Sequence, residues 1–304
     1  MRRSALLAAA AILLVPSSAA SGGTAANCSR TSVATTPLTD LGKRRYHAYT
    51  GGLYANGKNI PPSAYLKSGL AAARRVHPIE GRIVLLSIGM SNATQEFSAF
   101  KRLADADPHK SASVTIVDGA QGGQDAEAIK DPNGRYWAIL QLRLAVAGVS
   151  ADEVQAVWLK EAIARDASRF PADARRLAAD LRQIIGILRA RFPNLQLIYL
   201  SSCTYAGYAT TPLNPEPQAY DSAFAVRWVV SDRIHGKLKG PWIGWGPYLW
   251  TNGTRGRKDG LVWTCADVRA SDGTHPSPSG QAKVAGLLWS FFATSATAKS
   301  WFAR

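Results

Sequence analysis

The chain has 304 residues, of which 46% are hydrophobic, and it carries a formal net charge of +15. This length allows one sizeable domain, and the apolar content is that of an ordinary globular protein. The basic residues are scattered, and no dense run or nucleic-acid-binding motif accompanies them, so the charge alone does not indicate a nucleic-acid partner.

The first 26 residues have the composition of a secretory signal. Two arginines follow Met1, an apolar run extends from Ala5 to Val15, and small residues continue to Ala26. The run is too short to remain as a membrane anchor. We therefore predict cleavage between about Ala20 and Ala26, and a mature protein that is secreted or periplasmic. No other segment reaches transmembrane length.

The next segment, residues 27–80, is rich in Thr, Gly, Pro and Tyr and has few periodic apolar positions. We predict an irregular N-terminal extension that packs on the main domain. Residues 64–73 are the exception, because their pattern favours a short helix.

A buried strand is predicted from Arg82 to Ile88, where β-branched and apolar residues form a run too short for a helix. Gly89 ends this run, and Ser91 follows at the turn into a helix on which Phe97, Phe100 and Leu103 recur at helical spacing. Ser91 would thus lie at the carboxyl end of a strand, where open α/β sheets bind ligands. Taken alone, this turn favours a structural interpretation, since serine often caps helices.

Strands and helices then alternate along the chain. Such alternation predicts a three-layer α/β/α sandwich with a doubly wound parallel sheet. The further strands are predicted at 113–117, 154–159, 195–200 and near 241–243, and the further helices at 136–147, 171–192, about 218–234 and about 278–292.

Aromatic residues crowd a loop-rich region at about 205–263. Tryptophan and tyrosine rings are core fillers first, so most of them are expected to be structural. Those between Trp245 and Trp250 could instead form the wall of a sugar-binding cleft.

Asp272 and His275 form a D-x-x-H motif near the C-terminus. Residues three apart can lie on one helical turn, so the carboxylate could hold the imidazole by its Nδ1–H and leave Nε2 free to take a proton from a serine. In isolation such a pair is more often a turn aspartate and a surface histidine. Together with the turn at Ser91, it favours a catalytic site.

Three segments resemble the motifs of the SGNH (GDSL-like) hydrolase superfamily. Gly89-Met90-Ser91-Asn92 resembles the G-x-S-N variant found among its carbohydrate acetylesterases, residues 118–123 (DGAQGG) are similar to its glycine block, and residues 272–277 (DGTHPS) are close to its last block. The resemblance covers roughly residues 80 to 293. It implies that residues 81–304 form an SGNH-type hydrolase domain with a flavodoxin-like sheet and no cofactor.

The same resemblance implies a catalytic set of Ser91, Asp272 and His275. It also implies an oxyanion hole to which the N–H groups of Ser91 and Gly123 contribute, with Gly122 as the alternative to Gly123.

Two positions depart from the family pattern. Met90 stands where many relatives have aspartate, and Lys160 stands where relatives have a Gln or Asn that donates to the oxyanion. An ammonium can also donate to a developing oxyanion, so we predict Lys160 as a third donor. A lysine at a strand end can equally reach solvent or pair with a neighbouring carboxylate such as Glu161.

These features predict an exported serine esterase that hydrolyses O-acyl esters, with acetyl as the expected acyl group and a carbohydrate as the expected alcohol. Two alternatives stay open: a catalytically weak protein that binds cell-envelope polysaccharide, and a lipid esterase. We expect neither a nucleic-acid partner nor an integral membrane segment after signal removal.

Three cysteines would be exported, Cys28, Cys203 and Cys265, and two of them are expected to pair in an oxidising compartment. We favour Cys203–Cys265, because both lie in loops near the expected site. The sequence contains no C-x-x-C or H-E-x-x-H spacing, so metal binding is not indicated.

Overall fold

The computed structural model describes residues 25–304, so residues 1–24 of the predicted signal lie outside it. The described chain begins with an arm of short elements that runs to about residue 80. Its elements are helix α1 (Leu38–Leu41), the antiparallel strands β1 (Arg45–Tyr46) and β2 (Tyr49–Thr50), a 3₁₀ turn (Ala55–Gly57) and helix α2 (Ser63–Ala73). The short helix predicted at 64–73 is therefore confirmed, as α2. No helix in the described range is both long and apolar enough to cross a membrane.

A five-stranded parallel sheet follows, in the spatial order β4-β3-β5-β6-β7. Its strands are β3 (Ile83–Gly89), β4 (Val114–Asp118), β5 (Val154–Lys160), β6 (Leu197–Ser201) and β7 (Trp242–Trp245). Every residue of β3, β5, β6 and β7 is buried, which explains why these strands read as unbroken apolar runs. This order and direction confirm the predicted α/β/α architecture.

Helices cover both faces of this sheet. They are α3 (Ser91–Ala106), α4 (Ala126–Ile129), α5 (Arg135–Val146), α6 (Ala172–Arg191), α7 (Gln218–Ile234), α8 (Pro278–Thr294) and α9 (Lys299–Phe302). Helix α3 packs against α8, and α6 packs against α7. The connections through α3 and α6 lead away from the centre of the sheet in opposite directions, so the right-handed crossover rule places these two helices on opposite faces.

The apolar stripe predicted on α3 is buried only in part. Phe97 and Phe100 are fully buried, and Phe97 stacks on Trp158 of β5 with ring centroids 5.5 Å apart. Leu103, predicted to continue the stripe, is 42% exposed, while Ala104 is buried in its place. The buried side continues at i+4 rather than i+3, since a helix advances 3.6 residues per turn.

The strand order reverses at β3, which lies between β4 and β5. Connections leave this point in opposite directions, and the crevice at the carboxyl ends of β3 and β5 is the place where such sheets bind ligands. Gly89 and Lys160, the last residues of these two adjacent strands, pair with each other at this end of the sheet. A Cβ on Gly89 would lie 2.5 Å from both Ala93 Cβ and Lys160 O, so only glycine allows the strand, helix and neighbouring strand to meet here.

The aromatic residues of the 205–263 region hold the arm rather than open a cleft. Trp245, Tyr248 and Trp250 are buried, with at most 6% of any of them exposed. Trp245 Nε1 donates to Leu53 O at 2.9 Å, and the N–H of Leu38 donates to the Tyr248 hydroxyl at 3.0 Å. The suggestion that these rings line a sugar-binding cleft is therefore wrong, because their faces and polar atoms are used within the fold.

The disulfide also fastens the arm. Cys28 is bonded to Cys265, with the Cα atoms 5.3 Å apart, and Cys203 is free and buried. The predicted Cys203–Cys265 pair is wrong. Cys203 follows the buried strand β6, whereas Cys265 begins a 3₁₀ turn (Cys265–Asp267) that the start of the arm reaches. Only the path of the arm brings Cys28 within bonding distance.

Candidate active site

Ser91, His275 and Asp272 form a continuous chain of hydrogen-bond contacts. The Ser91 Oγ and His275 Nε2 atoms are 3.0 Å apart, and His275 Nδ1 lies 2.9 Å from Asp272 Oδ2. These three residues, predicted from two motifs 180 positions apart in the chain, are thus brought together. In this arrangement a histidine can take the serine proton while the carboxylate fixes its orientation.

Ser91 owes its position to the junction of β3 and α3. The strand ends at Gly89, and Ser91 is the first residue of the helix. The first intrahelical bond runs from the Thr94 N–H to Met90 O at 3.0 Å, so the N–H groups of Ser91, Asn92 and Ala93 precede the helical ladder. The serine therefore lies beside free amide donors and the positive end of the helix dipole.

His275 and Asp272 are held by a tight turn. Gly273 has a φ of +62°, and a Cβ there would lie 2.0 Å from Tyr208 O, so glycine is required. Asp272 Oδ1 accepts the N–H groups of His275 at 2.9 Å and of Thr274 at 2.8 Å. Partial burial opposes ionisation of Asp272, but these two N–H groups and the imidazole outweigh it, so the pKa of this carboxyl lies below its ordinary value.

A direct contact ties the serine turn to the histidine turn. Asn92 Nδ2 donates to Thr274 O at 3.0 Å, which links the start of α3 to the loop that carries His275. The asparagine of the G-x-S-N motif thus has a positioning role that its sequence context did not reveal.

A pocket opens beside the serine and the histidine, and the empty space in and in front of it, open solvent included, is about 520 Å³. Its apolar wall consists of short or flexible side chains, and amides and hydroxyls surround it. No Phe, Tyr or Trp is among its lining residues, which are Met90, Ser91, Asn92, Ala93, Lys160, Glu161, Cys203, Thr204, Ala206, Leu213, Asn214, Thr274 and His275.

Lys160 lies in the wall of this pocket, but its ammonium has a partner that the sequence did not indicate. Lys160 Nζ donates to both carboxylate oxygens of Glu96 on α3, at 2.6 and 2.5 Å, and both side chains are buried. The expected alternatives, solvent or Glu161, are not what the ammonium contacts. Its role as an oxyanion donor stays a prediction.

The glycines that follow β4 lie at the surface, outside the pocket that the serine turn lines. Gly122 and Gly123 are exposed, Gly123 has a φ of +74°, and neither lines the pocket. The strand end before them is anchored, since the Asp118 carboxylate accepts the hydroxyls of Thr94 and Ser98 at 2.5 and 2.6 Å. The donor role of Gly123 stays a prediction.

Within residues 25–304, no three His, Cys, Asp or Glu side chains are grouped so that they could hold a metal ion. Two glutamates were not assigned to the site from the sequence: Glu161 lines the pocket, and Glu96 is fully buried and bonded to the pocket residue Lys160. The sequence signal that could have indicated Glu161 was its position directly after the mostly apolar strand β5.

The fold and this site define a class: an α/β sandwich in which a serine after a central strand contacts a histidine paired with an aspartate. Comparison with known proteins adds likenesses of fold. No protein-family model matches the chain, and no curated protein matches it.

Solved structures are similar at low identity. One is a lipase/acylhydrolase from Enterococcus faecalis, 12% identical, with 68% of this chain and 93% of that chain covered and a TM-score of 0.41. Another is a GDSL-like lipase from Bacteroides thetaiotaomicron, 9% identical, with 74% and 95% covered and a TM-score of 0.42.

Proposed function

We propose that this protein is a serine esterase that hydrolyses O-acyl esters through an acyl-enzyme. The observation that carries the proposal is the contact chain from Ser91 Oγ through His275 to Asp272, with distances of 3.0 and 2.9 Å, at the mouth of a pocket. Nucleophile, base and orienting carboxylate are within the reach that proton transfer needs.

The reaction follows from these positions. Ser91 Oγ attacks the acyl carbon while His275 Nε2 takes its proton, and the carbonyl electron pair moves onto oxygen. Collapse of this intermediate breaks the bond to the alcohol, which leaves with the proton from His275. A water molecule then loses a proton to His275, attacks the acyl-enzyme and releases the acid, and His275 returns the proton to Ser91.

The chain also supplies charge stabilisation for the intermediate. The Ser91 N–H lies ahead of the helical ladder of α3 and is free to donate to the developing oxyanion. One such donor stabilises the transition state by about 3 kcal/mol in comparable sites. Asp272 holds the imidazole of His275 and stabilises its protonated form. The lowered pKa of the Asp272 carboxyl keeps this residue ionised at neutral pH, as that role requires.

The substrate is proposed to be a short acyl ester of a carbohydrate, with acetyl as the acyl group. The apolar wall beside Ser91 includes Ala93 and Ala206, which leave room for a small acyl group. Asn214 and Thr204 lie at the same pocket and can bind hydroxyl groups of the alcohol. The G-x-S-N resemblance supports the carbohydrate, whereas the buried aromatic rings at 245–250 no longer do.

Export is part of the proposal. The signal-like composition of residues 1–26 supports it, and so does the Cys28–Cys265 disulfide, because disulfides persist mainly in oxidising compartments.

The first test replaces the serine and the histidine. Ser91→Ala and His275→Ala should each reduce hydrolysis of p-nitrophenyl acetate by at least about 10³-fold, because each removes a step that the other residue cannot perform. Asp272→Asn should lose less, since this residue orients rather than attacks. Unchanged thermal unfolding and loss of fluorophosphonate labelling in Ser91→Ala are the controls. Wild-type turnover in a folded Ser91→Ala protein would refute the proposal.

The same assay tests the substrate. Acetylated oligosaccharides should have a higher kcat/KM than p-nitrophenyl acetate, because contacts to the sugar can contribute transition-state binding. Higher kcat/KM on esters of long acyl chains would instead identify a lipid esterase.

A further inference from the structure

Strand β5 ends at Lys160, and Glu161 follows it. The two side chains differ in whether the fold provides a partner for all of their polar atoms. Lys160 is paired with Glu96, so its charge is compensated within the fold. Glu161 is only 3% exposed and lines the same pocket as Ser91 and His275. One of its oxygens, Oε1, has no hydrogen-bond partner.

The other oxygen of Glu161 has a partner within the fold. Glu161 Oε2 accepts the N–H of Ala162 at 2.9 Å, as the oxygen of a carboxylate or of a neutral acid can. Burial raises the pKa of Glu161 well above its usual value, and the nearby Asp125 carboxylate adds to this, against the Ala162 N–H and Lys160. In the neutral acid, Oε1 is the oxygen that can carry the proton, because Oε2 already accepts a hydrogen bond.

The fold itself makes no use of this proton. A buried polar group without a partner lowers the stability of the fold by about 1–3 kcal/mol. A ligand that accepts a hydrogen bond from this acid would remove that cost. Glu161 lines the same pocket as Ser91, at the carboxyl end of β5, but its Oε1 is covered in the free protein. A bound ester would reach this oxygen when the soft terminal torsion of the glutamate turns it toward the pocket, at the expense of the contact between Oε2 and the Ala162 N–H.

We propose that Glu161, as a neutral carboxylic acid, donates a hydrogen bond from Oε1 to the acyl oxygen of the bound ester and to the oxyanion that forms from it. This inference rests on the proposed esterase function and adds a residue to it. A buried acid can serve as an oxyanion donor when its surroundings keep it protonated. Glu161 would thus take the donor role predicted for Lys160, whose ammonium is bonded to Glu96.

The charged and titratable groups around Glu161 come from four elements. Asp125 caps α4, Tyr136 lies on α5, Lys160 precedes Glu161 on β5, and Cys203 follows β6. Burial raises the pKa of Tyr136 and of Cys203, so neither introduces a negative charge at neutral pH. Ionisation of Glu161 at high pH would remove its donor and place a negative charge beside the oxyanion.

The test compares two substitutions of similar size. Glu161→Gln keeps an N–H donor and should retain kcat for p-nitrophenyl acetate within about tenfold of the wild type. Glu161→Leu removes the donor and should lower kcat by about 10²–10³-fold, as loss of an oxyanion donor does in comparable enzymes. Fluorophosphonate labelling of Ser91 should persist in both, which separates failure of this inference from failure of the esterase proposal.

Glu153 provides a matched control. It is 2% exposed and its Oε2 accepts the Ser150 N–H at 2.6 Å, while its Oε1 lacks a hydrogen bond and lies 3.6 Å from Arg82 Nε. It precedes β5 at the end remote from the pocket. Glu153→Leu should therefore lower the melting temperature without lowering kcat.

A pH profile gives a second readout that does not need the leucine variant to fold. Wild-type kcat should fall as the pH rises through the raised pKa of Glu161, and this fall should be absent in Glu161→Gln. A folded Glu161→Leu enzyme with kcat within about threefold of the wild type would overturn the inference. Parallel alkaline profiles for wild type and Glu161→Gln would overturn it as well.

Discussion

The Ser91 pocket and the seat of the N-terminal arm are both built from side chains that are distant in sequence, yet they differ in how fully their polar groups are used. In the arm seat, Trp245 and Tyr248 bond to the arm backbone. In the pocket, Ser91 keeps a free N–H and Glu161 keeps a free acid oxygen. Buried polar atoms without partners also occur elsewhere, at Glu153 and Asp221 for example, so the site is distinguished by having such groups beside Ser91 and His275 in a pocket.

This difference also explains why an aromatic-rich loop region is a poor indicator of a binding cleft. Large rings bury much apolar area and need only one polar partner each. In this protein the arm provides those partners: the Tyr220 hydroxyl donates to Thr36 O at 2.9 Å, and Trp242 Nε1 donates to Tyr65 O at 3.1 Å. The rings consequently stabilise the fold and leave the pocket to smaller side chains.

The largest effect on stability is expected at the Glu96–Lys160 pair, in which the ammonium of a pocket residue is bonded to both oxygens of a buried carboxylate. Lys160→Met leaves the buried Glu96 carboxyl without its partner and should destabilise the protein by about 3–5 kcal/mol. Glu96→Gln combined with Lys160→Met removes both charges and should restore most of that stability. Chemical denaturation of the three proteins measures this difference.

The double variant also sharpens the assignment of donors. If Lys160 donated to the oxyanion, the double variant would recover stability but not kcat. We expect the loss of kcat in the double variant to be smaller than in Glu161→Leu. The reverse order would return the donor role to Lys160.

The next effect is expected at the disulfide that closes the arm onto the main domain. Cys28→Ser should lower the free energy of unfolding by about 2–4 kcal/mol, because Cys28–Cys265 links residues 237 positions apart. Activity per folded molecule should change little, since neither cysteine lines the pocket. A loss of activity without a loss of stability would show that the arm shapes the site directly.

The smallest effect is expected at Asp221, under the arm. Burial first, and the Asp173 carboxylate next, raise the pKa of Asp221 from 3.8 to about 8. The folded state thus holds this proton more tightly than the unfolded state, so the stabilising contribution is complete below pH 3.8 and is lost as the pH rises through about 8.

Between pH 6 and pH 9 the wild type should therefore lose up to about 3 kcal/mol more stability than Asp221→Asn, since the folded-state pKa of about 8 lies two units above pH 6 and each unit corresponds to about 1.4 kcal/mol. Thermal melts at pH 6 and pH 9 measure the effect. Equal pH dependence in the two proteins would contradict it.

Local patterns in the sequence determined the layered architecture and the three residues of the contact chain. Apolar runs of strand length marked all five strands of the sheet, and helical periodicity marked α6 and α8, because burial on a sheet imposes these periods on the residues themselves. Gly89 with Ser91, and Gly273 beside Asp272, are likewise local, since each turn needs a glycine next to its functional side chain.

Only the tertiary structure determined which residues the cysteines and Lys160 contact. Whether Cys265 bonds to Cys28 or Cys203, and whether Lys160 meets Glu96, Glu161 or solvent, depends on how distant segments pack, and no local pattern records that. The exposure of Leu103 and the burial of Trp250 have the same origin. Residue type determines what a side chain can contact, whereas the path of the arm and the packing of α3 on β5 determine which contact is made and which group, such as Glu161 Oε1, is left without one.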